Sequence, residues 1–220
     1  MPIGAMLKRE WRLAQRRRSE LVQPVLFFSM VVTLFALGAA PGSRLLAEFA
    51  PSMIWVAVLL ATLIGAEKPY RDDFEDGTAE QLMLAPVPMS WLMLVRLLVQ
   101  WLVTALPVSL LAVPAAAALN VPSAGWSSLL AGLLLGGPVL TAVAGFAASL
   151  TVSLPRAGLL LPVLVLPLMA PVVIFGAGAV RAALSGLPVA APLYFLAALL
   201  LLSLCLAPWG MAAALRNALD

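Results

Sequence analysis

Six stretches of this chain are long enough and apolar enough to cross a lipid bilayer as helices, and that one feature decides the fold class. A helix rises about 1.5 Å per residue and the hydrocarbon layer is roughly 30 Å thick, so about 20 apolar residues suffice for a crossing. The stretches lie near residues 21–40, 51–66, 91–119, 126–154, 159–180 and 193–214. Runs such as 159–161 and 196–202 are apolar on every helix face, whereas a transmembrane β-strand alternates lipid-facing and lumen-facing residues. Only 10% of the 220 residues are charged and 63% are hydrophobic, against roughly 25% charged in a soluble domain. The surplus apolar surface must face lipid. The reading is an all-α polytopic membrane protein with six transmembrane helices, forming a single transmembrane domain over residues 1–220. Apart from residues 67–90 the connectors are short, which leaves no room for a soluble domain.

Residues 2–19 predict an amphipathic interfacial helix. Ile3, Leu7, Trp11 and Ala14 share one face, while Lys8, Arg9, Arg12 and Arg16 lie elsewhere around it. The rival reading, a cleaved signal peptide, would need an unusually long basic region ahead of its apolar run. Cytoplasmic loops carry the excess of Lys and Arg, and six crossings put both termini on one side. If that side is the cytoplasm, only Arg44 and Arg181 of the 13 basic residues fall opposite. The expectation is a multi-pass membrane protein with both termini cytoplasmic.

Within the spans, Pro162, Pro167 and Pro171 interrupt the fifth segment. Each removes a backbone hydrogen bond, and the freed carbonyls need partners, which predicts that this helix packs inside the bundle. Gly132 and Gly136 form a G-x-x-x-G pair that permits close helix contact. Cys205 sits in an apolar run and reads as a small buried hydrophobe.

Polar residues of the mid-chain gather in one place, Glu67 to Leu82, which holds five of the ten acidic residues between Asp72 and Glu80. Thr78 followed by Gln81 fits a capping box at the start of a short helix, and Pro86 and Pro88 would stop it. Three readings of the segment compete. It is a solvated loop, or a cluster of hard oxygen ligands (Asp72, Asp73, Glu75 and Asp76) without the spacing of a calcium loop, or a docking element. In the third, Phe74 and Leu82 supply apolar anchors and the carboxylates steer a basic partner surface. Nearby, Arg96 and Glu67 lie at membrane boundaries, where they could anchor the spans or pair with each other across the ends of the second and third spans.

Several chemistries are excluded by what the chain lacks. Its only lysines, Lys8 and Lys68, stand in no phosphate-binding loop, so an ATPase would have to be another chain. There is no histidine, the six tryptophans do not cluster, and methionines scattered through spans read as packing, so direct haem ligation is not expected. No basic surface interleaved with aromatics suits nucleic acid, and no acid pair in the spans suggests an intramembrane enzyme.

The segment Arg71-Asp72-Asp73-Phe74-Glu75-Asp76-Gly77-Thr78-Ala79-Glu80-Gln81-Leu82-Met83-Leu84-Ala85-Pro86-Val87-Pro88 resembles the signature of the CcmB family, the haem exporter B permeases of bacterial cytochrome c maturation. The similarity extends to the basic N-terminal helix, to Pro51 with Ile54-Trp55-Val56, to Leu164-Val165-Leu166-Pro167-Leu168 and to Ala212-Ala213-Ala214-Leu215-Arg216. That resemblance implies an ABC-2-like half-permease that pairs with a second copy of itself and with CcmA-type ATPase subunits. It implies a coupling helix docked on the ATPase through Arg71, Asp72, Asp73, Phe74, Glu75, Asp76, Gly77, Thr78, Glu80, Gln81 and Leu82. It further implies CcmC and CcmD as companions and release of haem-loaded CcmE as the outcome. On this reading the chain has no catalytic, metal or cofactor site: ATP binds the partner subunit and haem is handled by the wider complex. The alternatives are an exporter half that moves another hydrophobic or anionic substrate, and a membrane scaffold that transports nothing.

Overall fold

The apolar stretches fold as helices gathered around one central helix of small residues. The computed structural model describes residues 3–16, 18–38, 44–154 and 157–219. In chain order the helices are α1 (Ile3–Arg16), α2 (Arg18–Gly38), α3 (Arg44–Ile64), α4 (Glu67–Glu75) and α5 (Thr78–Met83). They are followed by α6 (Met89–Gln100), α7 (Leu106–Ala118), α8 (Trp126–Thr151), α9 (Ala157–Leu184) and α10 (Ala190–Leu219). Among the described residues, five stretches are long and apolar enough to cross a membrane: Leu46–Glu75, Met89–Ala118, Ser123–Thr151, Leu161–Leu184 and Ala190–Leu219. Val22–Gly38 is a shorter apolar helix. At about 1.5 Å per residue it covers about 25 Å, so among the described residues five of the six expected crossings have the full length and the first has a shorter apolar helix.

The second span starts two turns earlier than Pro51. The helix begins at Arg44, Glu48 is exposed in its second turn, where a charged group can reach water, and Pro51 is buried inside the helix. The third span runs from α6 to α7 through a π-helical turn, Trp101–Ala105. Pro107 explains it: the ring has no N–H to donate and crowds the carbonyl of Val103 four residues back, so the turn widens.

Helix α8 is the hub, packing against α3, α4, α6, α7, α9 and α10. Half of its buried residues are Gly or Ala, including Gly132, Gly136, Gly145, Ala144 and Ala148, which lets neighbouring backbones approach closely. Gly132 and Gly136 open a slot for the indole of Trp55 from α3, which is fully buried. The other wall of that slot is Gly176 of α9, where an added Cβ would overlap the Trp55 ring.

Two expectations fail here. Helix α9 is continuous through all three prolines and lies on the outside of the bundle, with Val163, Leu164, Leu166, Leu168 and Ile174 exposed. The stripe Leu161, Val165, Met169, Val172 and Val180 faces the core, joined by Ala177 and Ala179 in the last turns, because α3, α8 and α10 cover one side of the helix. Cys205 likewise faces outward from α10. That helix exposes Tyr194, Leu201, Leu206 and Trp209, as a lipid-facing helix does.

The bundle has a polar end and a plain end. At the plain end the α7–α8 turn lies beside the end of α9, since Gly125 is in contact range of Val180 and Leu184. At the polar end one groove brings Arg9 and Glu10 of α1 together with Gln81 and Leu82. Arg216 near the C-terminus shares a second groove with Met83 and Met89. Both ends of the described chain therefore meet the acidic segment on one side of the bundle.

Candidate functional site

Helix α3 ends in a turn at Gly65 and Ala66, with Ala66 N–H donating to the Leu63 carbonyl at 3.1 Å. Helix α4 follows with the sequence Glu67-Lys68-Pro69-Tyr70-Arg71-Asp72-Asp73-Phe74-Glu75. Residues three apart share a helix face, and here Tyr70 and Asp73 are the pair that turns inward and is buried. On the outer face Arg71 donates to Glu67 at 3.2 Å and to Glu75 at 3.0 Å, one residue a helical turn away on each side.

The inner pair meets Arg96 from α6. Its guanidinium donates to Asp73 Oδ2 at 2.6 Å and to the Pro69 carbonyl at 2.6 Å, and its Cζ lies 4.3 Å from the Tyr70 ring centroid. Both side chains of the ion pair are about nine-tenths buried, at 9% and 11% exposure. One of the two roles expected for Arg96 was a pairing with Glu67. The turn at Gly65 instead leaves Glu67 on the outer face with Arg71, and Asp73 is the carboxylate that reaches α6.

Tyr70 is 1% exposed. Its ring enters the bundle beside Gly145 of α8, where a Cβ would come to 2.8 Å from the hydroxyl. The hydroxyl donates to Gln100 Oε1 at 3.0 Å. Removing one partner of a buried ion pair costs about 3–5 kcal/mol, and a cation over an aromatic ring adds about 0.5–2 kcal/mol. So α4 is keyed into the bundle rather than floating over it.

Helix α4 closes with Asp76 N–H donating to the Asp72 carbonyl at 2.9 Å, and Gly77 then turns at φ +75°. A side chain is disfavoured in that left-handed conformation. The expected capping box is absent: Thr78 is already helical, and its own N–H is taken by Asp76 Oδ1 at 2.9 Å. The left-handed glycine swings the Asp76 carboxylate over the new N-terminus, so the residue two places before Thr78 does the capping.

Of the residues expected to dock a partner, Glu75, Asp76, Glu80 and Gln81 are exposed. Arg71, Asp72, Gly77 and Thr78 are half-buried. Asp73 is buried on Arg96, and Phe74 and Leu82 are half-buried, one side of each packed against the core of the bundle. The apolar side chain that is offered is Leu84, 86% exposed just after α5. It lies four residues after Glu80 and so on the same helix face, a spacing that could have identified it. The result is a rim of three carboxylates with one apolar tip, on the polar end of the bundle. Such a surface suits a basic groove that also has an apolar pocket.

Comparison with known proteins matches residues 1–218 to the family described as CcmB protein. The chain is 45% identical over 211 residues to "Heme exporter protein B" of Pseudomonas aeruginosa, covering 96% of this chain and 95% of that one. It is 41% identical over 215 residues to the protein of the same name from Haemophilus influenzae, with 98% and 97% covered. The Escherichia coli protein of that name is 43% identical over 216 residues, with 98% of each chain covered.

Proposed function

The chain belongs to the CcmB protein family, and from that membership we propose that its acidic rim is the docking point of a separate ATPase subunit. As a family member it is a multi-pass membrane permease of haem export and cytochrome c maturation. The finer reading is a permease subunit that couples ATP hydrolysis on a CcmA-type partner to release of the haem-loaded CcmE chaperone. It works beside a second copy of itself and with CcmC and CcmD, in a bacterial inner membrane with both termini in the cytoplasm. The chain contributes no catalytic group of its own; ATP chemistry belongs to the partner chain.

The observation that carries this reading is the contrast between the two faces of the acidic segment. Its inner face is locked by Tyr70, Asp73 and Arg96, while Glu75, Asp76, Glu80 and Leu84 face out. A rigid base under an exposed, charged, apolar-tipped surface is what transmission of a push requires, because a floppy loop would absorb it. The phosphate-binding machinery that the chain lacks must be supplied by whatever docks there.

The test is affinity purification of the tagged protein from native membranes in mild detergent, with mass spectrometry of the companions. An ABC-type ATPase should co-purify with the wild type and be depleted by Glu75→Lys with Glu80→Lys, and by Leu84→Asp. Asp73→Lys is not a probe of the rim, since it would unseat α4 from Arg96. Retention of the ATPase by the rim variants would refute this docking surface. Its absence from the wild type, under conditions that preserve other ABC complexes, would refute the coupling itself.

A further inference from the structure

Beneath the docking rim, a second set of contacts ties the turn between α3 and α4 to the π-helical turn of the third span. Gln100 is the last residue of α6, immediately before that turn. Its Oε1 accepts from the Tyr70 hydroxyl at 3.0 Å and its Nε2 donates to the Gly65 carbonyl at 3.3 Å. One amide therefore holds both the turn and the first inward residue of α4. On the other side Thr104, inside the π-turn, packs so tightly on Gly65 that a Cβ there would lie 2.8 Å from Thr104 Cγ2.

A π-turn is a widened, weakly bonded place in a helix, and such turns are frequent where helices adjust. This one has a cause in Pro107 and stands at the junction of α6 with α7. A displacement of α4 would reach it by the shortest path available, through Tyr70 to Gln100 and through Gly65 to Thr104. We propose that Tyr70 and Gln100 are positioning residues for coupling: they fasten the docking helix to the π-turn, so that a push on the rim re-aims α7. The proposal rests on the rim being an ATPase-docking surface. It concerns what lies behind that surface, and neither residue touches the rim.

The experiment uses the complex purified with its ATPase from native membranes. Spin labels are placed at Leu110 on α7 and Leu187 in the α9–α10 turn, both exposed, in a Cys205→Ala background. The distance between them is read by pulsed electron paramagnetic resonance with and without ATP and vanadate. In the wild type the distance should change with nucleotide. Tyr70→Phe, which removes one hydroxyl, and Gln100→Leu should each keep the ATPase bound and lose that change. An undiminished change in both variants overturns the proposal while leaving docking intact. A wild-type distance that ignores nucleotide with the ATPase bound also overturns it. If no ATPase accompanies the wild type, the docking reading itself has failed, and the proposal falls with it.

Discussion

The slot around Trp55 makes a prediction in which two glycines, two residues apart on α9, respond with opposite sign. At Gly176 a new Cβ would overlap Cε2 and Cζ2 of the Trp55 ring, and at Gly178 it would meet nothing within 4 Å. Carbon atoms pack at about 3.5–4.0 Å, so Gly176→Ala must push the ring away. The ring has nowhere to go, since Gly136 on the far side would bring a Cβ to 2.7 Å from Cη2 and even Gly132 to 3.2 Å from Cζ2. Overpacking costs up to about 3 kcal/mol, against a gain of about 1 kcal/mol from replacing glycine in a helix. The net is a loss of about 2 kcal/mol, or about 4–8 °C in melting temperature for a chain of this size. Gly178→Ala collects the gain alone and should raise the melting temperature by about 2–4 °C. The assay is recovery of monodisperse protein after heating in a single detergent. Trp55→Phe removes the larger half of the indole, together with an N–H that has no acceptor among the described residues, so the loss from Gly176→Ala should shrink in that background. Equal shifts at 176 and 178, or an undiminished loss with Trp55→Phe, would refute the slot.

Three further outcomes are expected. Asp73→Ala and Arg96→Ala should each cost about 3–5 kcal/mol of stability in the same heating assay, because each removes the opposite charge from a buried ion pair; the double variant should cost well under the sum, and additive losses would dissolve the pair. Gly77→Val should destabilise by about 1–2 kcal/mol through its left-handed backbone, with Gly77→Asn milder, and equal melting temperatures for the two would count against that turn. In a Cys205→Ala background, cysteines at Asn120 and Leu187 should react with an impermeant maleimide added outside intact spheroplasts, while cysteines at Glu80 and Asn217 should not. Labelling of all four from outside would contradict the proposed sidedness.

How much of this was legible in the sequence depends on whether the signal is local. Apolar length is local, so the spans stand out of the sequence directly, and so does the placement of the polar segment between the second and third. Helix continuity through Pro162, Pro167 and Pro171 was not legible, because whether a proline breaks a helix or merely removes a bond depends on what surrounds it. The G-x-x-x-G pair could be seen, but its occupant could not: Trp55 is far away in sequence, and nothing near Gly132 or Gly136 announces an aromatic ring. The same boundary runs through the site. Five acidic residues within nine positions advertise a charged surface, yet they cannot say which of them is withheld from it. Helix phase groups Tyr70 with Asp73, but the choice of inward face is made by the turn at Gly65 and by Arg96, 23 residues on from Asp73. An arginine buried in a span is costly without a counter-charge, so Arg96 does demand one carboxylate from the neighbouring segment. The chain supplies the one whose helix face also carries an aromatic ring for the guanidinium to cover. Once Asp73 is spent in that way, the remaining carboxylates face outward by the geometry of the helix, and the same ion pair that anchors α4 thereby composes the rim.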